Sequence, residues 1–244
     1  MGKVDDFGLQ PKAIQELHLL TLRPGHRFFV LGRFSLHFDE LPLRAFSLKL
    51  LLTPANRRWH RRRMPAPPIH THEYLRTPET LLPQELVYGY VREAAAPTPA
   101  HQRVVGALHV RLWHHLRETS AGDVWLAPID VVLDVDRDLV VQPDLSVVLA
   151  AHADLVTDRI WGAPDLVVEV MSPRPRIGTL EERLAWFATY GVRECWLVHL
   201  PGSRIEVVRF ADGVPVTTNY GPLDAIRSSV LPGLQLTPYD VMSR

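Results

Sequence analysis

The chain has one cysteine in 244 residues, Cys195, inside "RECWLVHL". A single thiol excludes an internal disulfide and any CxxC zinc or redox motif, and it fits a reducing compartment. No apolar run reaches the roughly 20 residues that span a bilayer. The opening "MGKVDDFGLQPK" lacks the charged-then-apolar layout of a secretory leader. From these absences we expect a cytoplasmic protein with no membrane partner. Neither a P-loop nor a GxGxxG motif occurs, so no nucleotide cofactor is indicated. Lysine is scarce: Lys3, Lys12 and Lys49 are all there are. Residues 64–244 therefore offer no lysine to any chemistry placed there.

What is present is unevenly charged. The formal net charge is zero, yet residues 1–63 carry 12 Lys and Arg against 5 Asp and Glu, and residues 64–244 carry 15 against 22. The first segment shows no sustained hydrophobic period and ends in "RRWHRRR", a basic run of the kind that binds nucleic acid or forms a solvated tail. Order improves from Met64. We expect two parts. Residues 1–63 are an extension outside the core, or sequence translated ahead of the true start. Residues 64–244 are the functional domain, apolar enough to bury one substantial core.

Past Met64 the punctuation is regular. "ELVYGYVRE" alternates like a strand. Residues 98–118 read as a helix, with Thr98 as its cap, Pro99 in its first turn, and Gly122 after its end. Val104, Val105, Leu108, Leu112 and Leu116 give it an apolar face. "VWLAPIDVVLD" and "LVVQPDLSVVLA" read as strands around the turn "DVDRD", and "APDLVVEVM" as the next strand. Residues 178–191 read as a helix with a Thr179–Glu182 capping box and Gly191 at its end. "ECWLVHL" and "RIEVVRF" are strands joined by the tight-turn composition "PGS"; "DGVPVTTNY" and "AIRSSVLPG" look like short strands, and "TPYDVMSR" like a helical turn. One helix links "DLVVEVM" to "ECWLVHL", which points to an α/β fold with a mixed sheet flanked by helices.

Glu169 stands among the valines of "DLVVEVM". An isolated carboxylate in an apolar interior costs several kcal/mol, so it is either protonated or held by a cation or by hydrogen-bond donors. The preceding strand repeats the pattern, with Asp144 after a proline and before an apolar run. If their ends lie side by side, the two carboxylates can chelate a divalent cation, and magnesium is a natural guest. A metal-bound water attacking phosphorus is then the simplest chemistry. Taken singly, each acid has a structural reading: an Asp after Pro opens a strand, and a lone Glu on an alternating strand faces water.

At these residues the chain resembles the Uma-type restriction endonuclease family, a branch of the PD-(D/E)XK nuclease superfamily. The likeness lies in "VVQPDLSVV", "GAPDLVVEVMSP" and "LAWFATYGVRECWLV", with "ELVYGYV" and "PTPAHQRVVG" upstream, and covers roughly residues 64–210. It implies a restriction-endonuclease-like core and cleavage of DNA with magnesium, or manganese, as cofactor. By the same resemblance Asp144 matches the Asp of the PD motif, Glu169 the acid of the next strand, and Glu85 an early glutamate that completes the acidic cluster. The family lysine falls on the following helix, in a pattern like "EKLALY". Here the stretch is "ERLAWF", so Arg183 occupies that place. Arginine stays charged where a buried lysine can give up its proton. Arg183 is then either a fixed charge near the scissile phosphate or the partner of Glu169. Helical spacing sets Arg183 beside an apolar stripe of Leu180, Leu184 and Phe187, from which its stem can follow the core edge and its head project towards the strand ends; its structural alternative is a surface arginine paired with Glu181 or Glu182. His199, where the family tends to have Asp, departs as well and is peripheral.

Other candidates are weaker. His101 opens the long helix; it is either a phosphate or water contact, or a capping or surface histidine. Asp130 is either a further polar residue of the site or an outward strand residue. Arg174 and Arg176, in "SPRPRIG", are candidate contacts to a DNA backbone, which an acidic domain needs because phosphate binding takes Lys or Arg. A homodimer would pool such patches and cut both strands. "HTHEYL" is not HExxH, and His109, His114 and His115 lack the spacing of zinc ligands. Trp186, Phe187 and Trp196 read as core. The rival to the nuclease is a catalytically inactive relative that keeps the fold as a nucleic-acid or protein binding module. A metal-free scaffold with merely structural acids is the third reading.

Overall fold

The computed structural model describes residues 67–171, 177–211 and 214–243, apart from positions 79 and 81, together with three short upstream strands. The chain divides into two units, Met1–Arg61 and Arg62–Arg244. In the first, β1 (His18–Thr21), β2 (Arg27–Leu31) and β3 (Phe34–Leu36) pair in order as an antiparallel sheet.

The second unit begins with α1 (Thr71–Tyr74), the hairpin β4 (Gln84–Val87) and β5 (Tyr90–Glu93), and the long helix α2 (Pro99–Thr119). There follow β6 (Gly122–Leu126), β7 (Val131–Asp134), β8 (Leu139–Val141), β9 (Leu145–Leu149), β10 (Ile160–Trp161) and β11 (Leu166–Met171). The unit closes with α3 (Leu180–Tyr190), β12 (Glu194–His199), β13 (Arg204–Ala211), β14 (Val214–Tyr220) and α4 (Pro238–Met242). Two mixed sheets result. One has six strands in the order β14-β13-β12-β11-β9-β6, and the other five in the order β10-β7-β8-β4-β5. In the first, β11 and β12 run parallel, joined by the crossover helix α3. Among the described residues no helix is long and apolar enough to cross a membrane.

The six-stranded sheet is the middle layer, buried on both faces. Alternation along β11 sends Leu166, Val168 and Val170 to the side covered by α2, α4 and the C-terminal segment. Val167 goes to the opposite side, where Val87, Val131, Leu133, Leu139 and Val141 of the five-stranded sheet meet Trp186 and Phe187 of α3. Trp196 is fully buried in the first of these layers. The outer face of the five-stranded sheet packs Leu86, Val132 and Val140 on Tyr74 of α1. Period-two geometry therefore puts Glu85 on the Val87 side of β4 and Glu169 on the Val167 side of β11. Both face the layer between the sheets.

Several expected elements differ, each for a local reason. "ELVYGYVRE" is a hairpin, because Tyr88 and Gly89 both have positive φ (50° and 83°), the geometry of a two-residue turn. "VWLAPIDVVLD" and "LVVQPDLSVVLA" each break into two strands that belong to different sheets. Pro128 and Pro143 sit at the breaks, and a residue without an N–H cannot sustain a ladder. Ser120 (φ 53°), not Gly122, caps α2. Gly122 opens β6 instead, where an added Cβ would lie 2.3 Å from the Val148 carbonyl oxygen. "AIRSSVLPG" is not a strand. Its Ser228 hydroxyl accepts from the Val230 and Leu231 amides, a local turn that competes with a ladder, and Ile226, Val230 and Leu231 still reach the core. The helix caps at Thr98 and Thr179 form as the sequence suggests, and "TPYDVMSR" forms the short helix α4, capped by Thr237.

Candidate active site

Arg183 projects from α3 into the layer between the sheets and meets a carboxylate from each. Its Nη1 donates to both oxygens of Glu85 (2.9 and 2.8 Å), and its Nη2 and Nε donate to Oε1 of Glu169 (2.6 and 3.1 Å). Nη1 also reaches the Ile177 carbonyl at 3.5 Å, and the guanidinium lies 5.6 Å from the Phe187 ring centroid. All three residues are buried. Burial alone would lower the pKa of Arg183, but the charges of Glu169 and Glu85, with their hydrogen bonds, outweigh it and raise it. The side chain is a permanent cation.

Leu184 and Phe187 pack on the core beside Arg183 as expected, but the expected stripe fails at the Leu180 end of α3. Its buried residues are Arg183, Trp186 and Phe187, whereas Leu180 is 37% exposed. An apolar-period argument ranks leucine inside and arginine outside, and it fails where two buried carboxylates call for a cation. Glu182 does not pair with Arg183; its carboxylate accepts from the Thr179 amide and closes the capping box.

Asp144 lies where the chain crosses from β8 to β9, hence from one sheet to the other. The pairing of β9 with β11 runs Leu166 to Val147, Val167 to Ser146 and Val168 to Leu145. One more step sets Asp144 opposite Glu169. Oδ2 of Asp144 accepts from the Val170 amide at 2.7 Å and lies 3.2 Å from Nε2 of His101. His101 is buried in the first turn of α2, so it is not a surface residue. The backbone of this crossing is pinned too, since Ala127 N–H donates to the Asp144 carbonyl.

Glu85, Asp144, Glu169, Arg183 and His101 thus gather at one place. Gln142, which the sequence did not single out, ties them further. Its amide donates to Oε1 of Glu85 at 2.8 Å and its side chain to Oδ1 of Asp130 at 3.0 Å. The signal lay in the motif itself, because Gln142 precedes Pro143–Asp144. Asp130 is therefore joined to the cluster through Gln142. Arg174 and Arg176 lie outside the described residues. His199 sits apart from the cluster, 3.3 Å from Glu206. Cys195 is buried, and desolvation, then the charge of Glu169, push its thiol well up, which leaves no reactive thiolate. Asp165 and Glu194 are also buried acids, but theirs are structural contacts. Asp165 accepts from the Leu149 amide, His152 and Arg193, and Glu194 from Trp196 and Ser229.

Whether a metal suits this place follows from the donors. Asp144 and Glu169 offer hard oxygen ligands at neighbouring register positions, and magnesium takes one or two carboxylates while keeping waters. Fully ionised, the three carboxylates carry two charges more than Arg183 offsets, the charge of one divalent cation. Among the described residues no group of three or more His, Cys, Asp or Glu is placed to hold a metal ion. A cation here would rest on the two carboxylates of Asp144 and Glu169 and keep waters, a donor set that suits magnesium or manganese.

Comparison with known proteins bears on the family and the fold. The model of the Uma2 family, described as "Putative restriction endonuclease", matches residues 71–238. Among solved structures, the chain is similar to one titled a "putative nuclease belonging to DUF820" from Anabaena variabilis ATCC 29413. The TM-score is 0.63 at 19% identity, covering 72% of this chain and 98% of that one. No curated protein matches.

Proposed function

The chain belongs to the Uma2 family, and from that premise we propose that it is a magnesium- or manganese-dependent endonuclease that hydrolyses DNA phosphodiester bonds. The observation that carries this reading is the buried cluster of Glu85, Asp144, Glu169 and Arg183 at the crossing between the sheets. Asp144 and Glu169 would hold the cation, which supplies an activated water and offsets charge on the phosphate. Asp144 is oriented by the Val170 amide and by His101.

Arg183 is a positioning residue in this scheme. Its Nε, Nη1 and Nη2 groups are all spent on Glu85 and Glu169, and its raised pKa removes it as a proton acceptor. It sets the orientation of Glu169 and holds Glu85 beside it. Arg174 and Arg176 would contact the DNA backbone. Cutting both strands of a duplex takes two such sites, which a homodimer would supply.

Calorimetric titration with magnesium, beside cleavage of labelled DNA, tests the reading. Asp144→Asn and Glu169→Gln each keep shape while removing charge, and each should abolish magnesium binding and cleavage. Unchanged magnesium binding in both variants would eliminate the site. A second reading rests on one specific observation, the guanidinium bonded to both glutamates where the family places lysine. On that reading the protein is a catalytically inactive relative that binds nucleic acid or protein. Wild type would then cut nothing with either metal.

A further inference from the structure

The outer face of α2 is unlike the rest of its domain. The residues Val104, Val105, Leu108, Leu112 and Leu116 turn inward. At 100° per residue, Arg103, Val110, Trp113, His114 and Arg117 fall together on the opposite side, within an arc of about 100°. Val110 is 51% exposed and Trp113 41%. Glu118, the one carboxylate of the helix, lies outside that arc. Among the described residues neither Arg103 nor Arg117 is in an ion pair, while the Arg117 guanidinium stands 6.0 Å from the Trp113 ring and His114 packs edge-on against it at 5.1 Å. Residues 64–244 carry 22 acidic against 15 basic side chains, so a cationic, aromatic stripe without acids runs against the background.

We propose that this stripe binds a single strand of nucleic acid, with phosphates on Arg103 and Arg117 and a base stacked on Trp113. This deepens the nuclease reading and rests on it for the partner. Two features select the occupant. Arginines flanking an exposed indole combine backbone attraction with a stacking face, the two parts of single-strand recognition. A second copy of the chain is disfavoured by charge. Antiparallel pairing about Val110 sets Arg103 against the copy's Arg117, and parallel pairing sets each arginine against itself. The stripe runs from Arg103, near the start of α2, to Arg117, near its end. At that end Arg117 lines a cavity of about 670 Å³, with Trp125 beside it and Asp123 as its one carboxylate.

The test is fluorescence anisotropy of a short labelled single strand, without divalent metal, on the full chain. Wild type should bind with a salt-dependent affinity. Trp113→Ala should weaken binding roughly tenfold and Trp113→Phe should restore most of it. Arg103→Glu with Arg117→Glu should lower the salt slope by about 1.4, two single-strand phosphate contacts. These exposed positions leave the fold intact, which circular dichroism verifies. The proposal is overturned if wild type does not bind the strand or the variants bind as it does. It is equally overturned if duplex binds as tightly with no effect at Trp113, or if polyglutamate competes as well as the strand. Cleavage of the same strand with magnesium or manganese is scored separately. A wild type that binds through the stripe and cuts nothing supports the stripe and sinks the nuclease reading. One that cuts as well as its stripe variants do overturns the stripe alone.

Discussion

Arg183 donates to carboxylates from two different sheets, so each substitution there probes a different property. Arg183→Ala strands Glu85 and Glu169 in the interior. Removing one partner of a buried ionic group costs about 3–5 kcal/mol, and urea denaturation should show a loss of that order. Arg183→Lys keeps the charge but not the fork, so it should lose less stability. It restores the residue that the family resemblance leads one to expect, and its initial cleavage rate, per folded molecule, should equal or exceed that of wild type. A lysine variant that folds yet cuts less than an active wild type would show that the arginine geometry itself is required. Glu169 follows the same logic. Truncating it leaves Arg183 with one partner of two, so Glu169→Ala should destabilise the protein rather than relieve repulsion between acids.

At the scale of elements, α1 is too short to stand alone and is held by the turn after β7. Asp138 accepts from the Thr71 amide at 2.6 Å and the Thr71 hydroxyl at 3.0 Å, and lies 3.2 Å from Nδ1 of His70. Burial alone would raise the Asp138 carboxyl, but the hydrogen bonds from Thr71 and His70 outweigh it and hold its pKa down. A lowered carboxyl pKa stabilises the fold above the unfolded value, near 3.9, and that contribution is lost as pH falls through the folded value. Asp138→Asn keeps a residue tolerant of φ 53° and should cost about 1 kcal/mol near neutral pH, as lost caps do. Denaturation at a series of pH values should show the gap from wild type closing below about pH 4. A gap that stays constant into acid would assign the effect to backbone conformation.

At the scale of the molecule, the acidic cluster ties the layers together. Glu85 comes from the five-stranded sheet, Glu169 from the six-stranded sheet, Arg183 from the crossover helix and His101 from α2. A site assembled from four elements should persist only while the whole domain is folded. We expect residues 64–244 to carry the fold and whatever activity the chain has. A chain starting at Met64 should be soluble and unfold in one transition that coincides by fluorescence and circular dichroism. If that truncation is insoluble while the full chain folds, residues 1–63 belong to the core.

Local features could be read from the chain alone, because each rests on neighbours within a few residues. Capping residues, helix spans, the strand "DLVVEVM" and the crossover to "ECWLVHL" were legible for that reason, and so was the oddity of Glu169 among valines. Position after a proline made Asp144 conspicuous in the same way. Long-range partners could not be read that way. The local pattern of "ERLAWF" sets Arg183 beside an apolar stripe, but that Arg183 is buried while Leu180 stays out depends on two carboxylates 98 and 14 residues away. Nor does the alternation in "VWLAPIDVVLD" and "LVVQPDLSVVLA" reveal that each run changes sheet at its proline. A strand's period is set by its own backbone, but the sheet it joins is set by which neighbour offers a hydrogen-bonding edge, and only the folded chain supplies that neighbour.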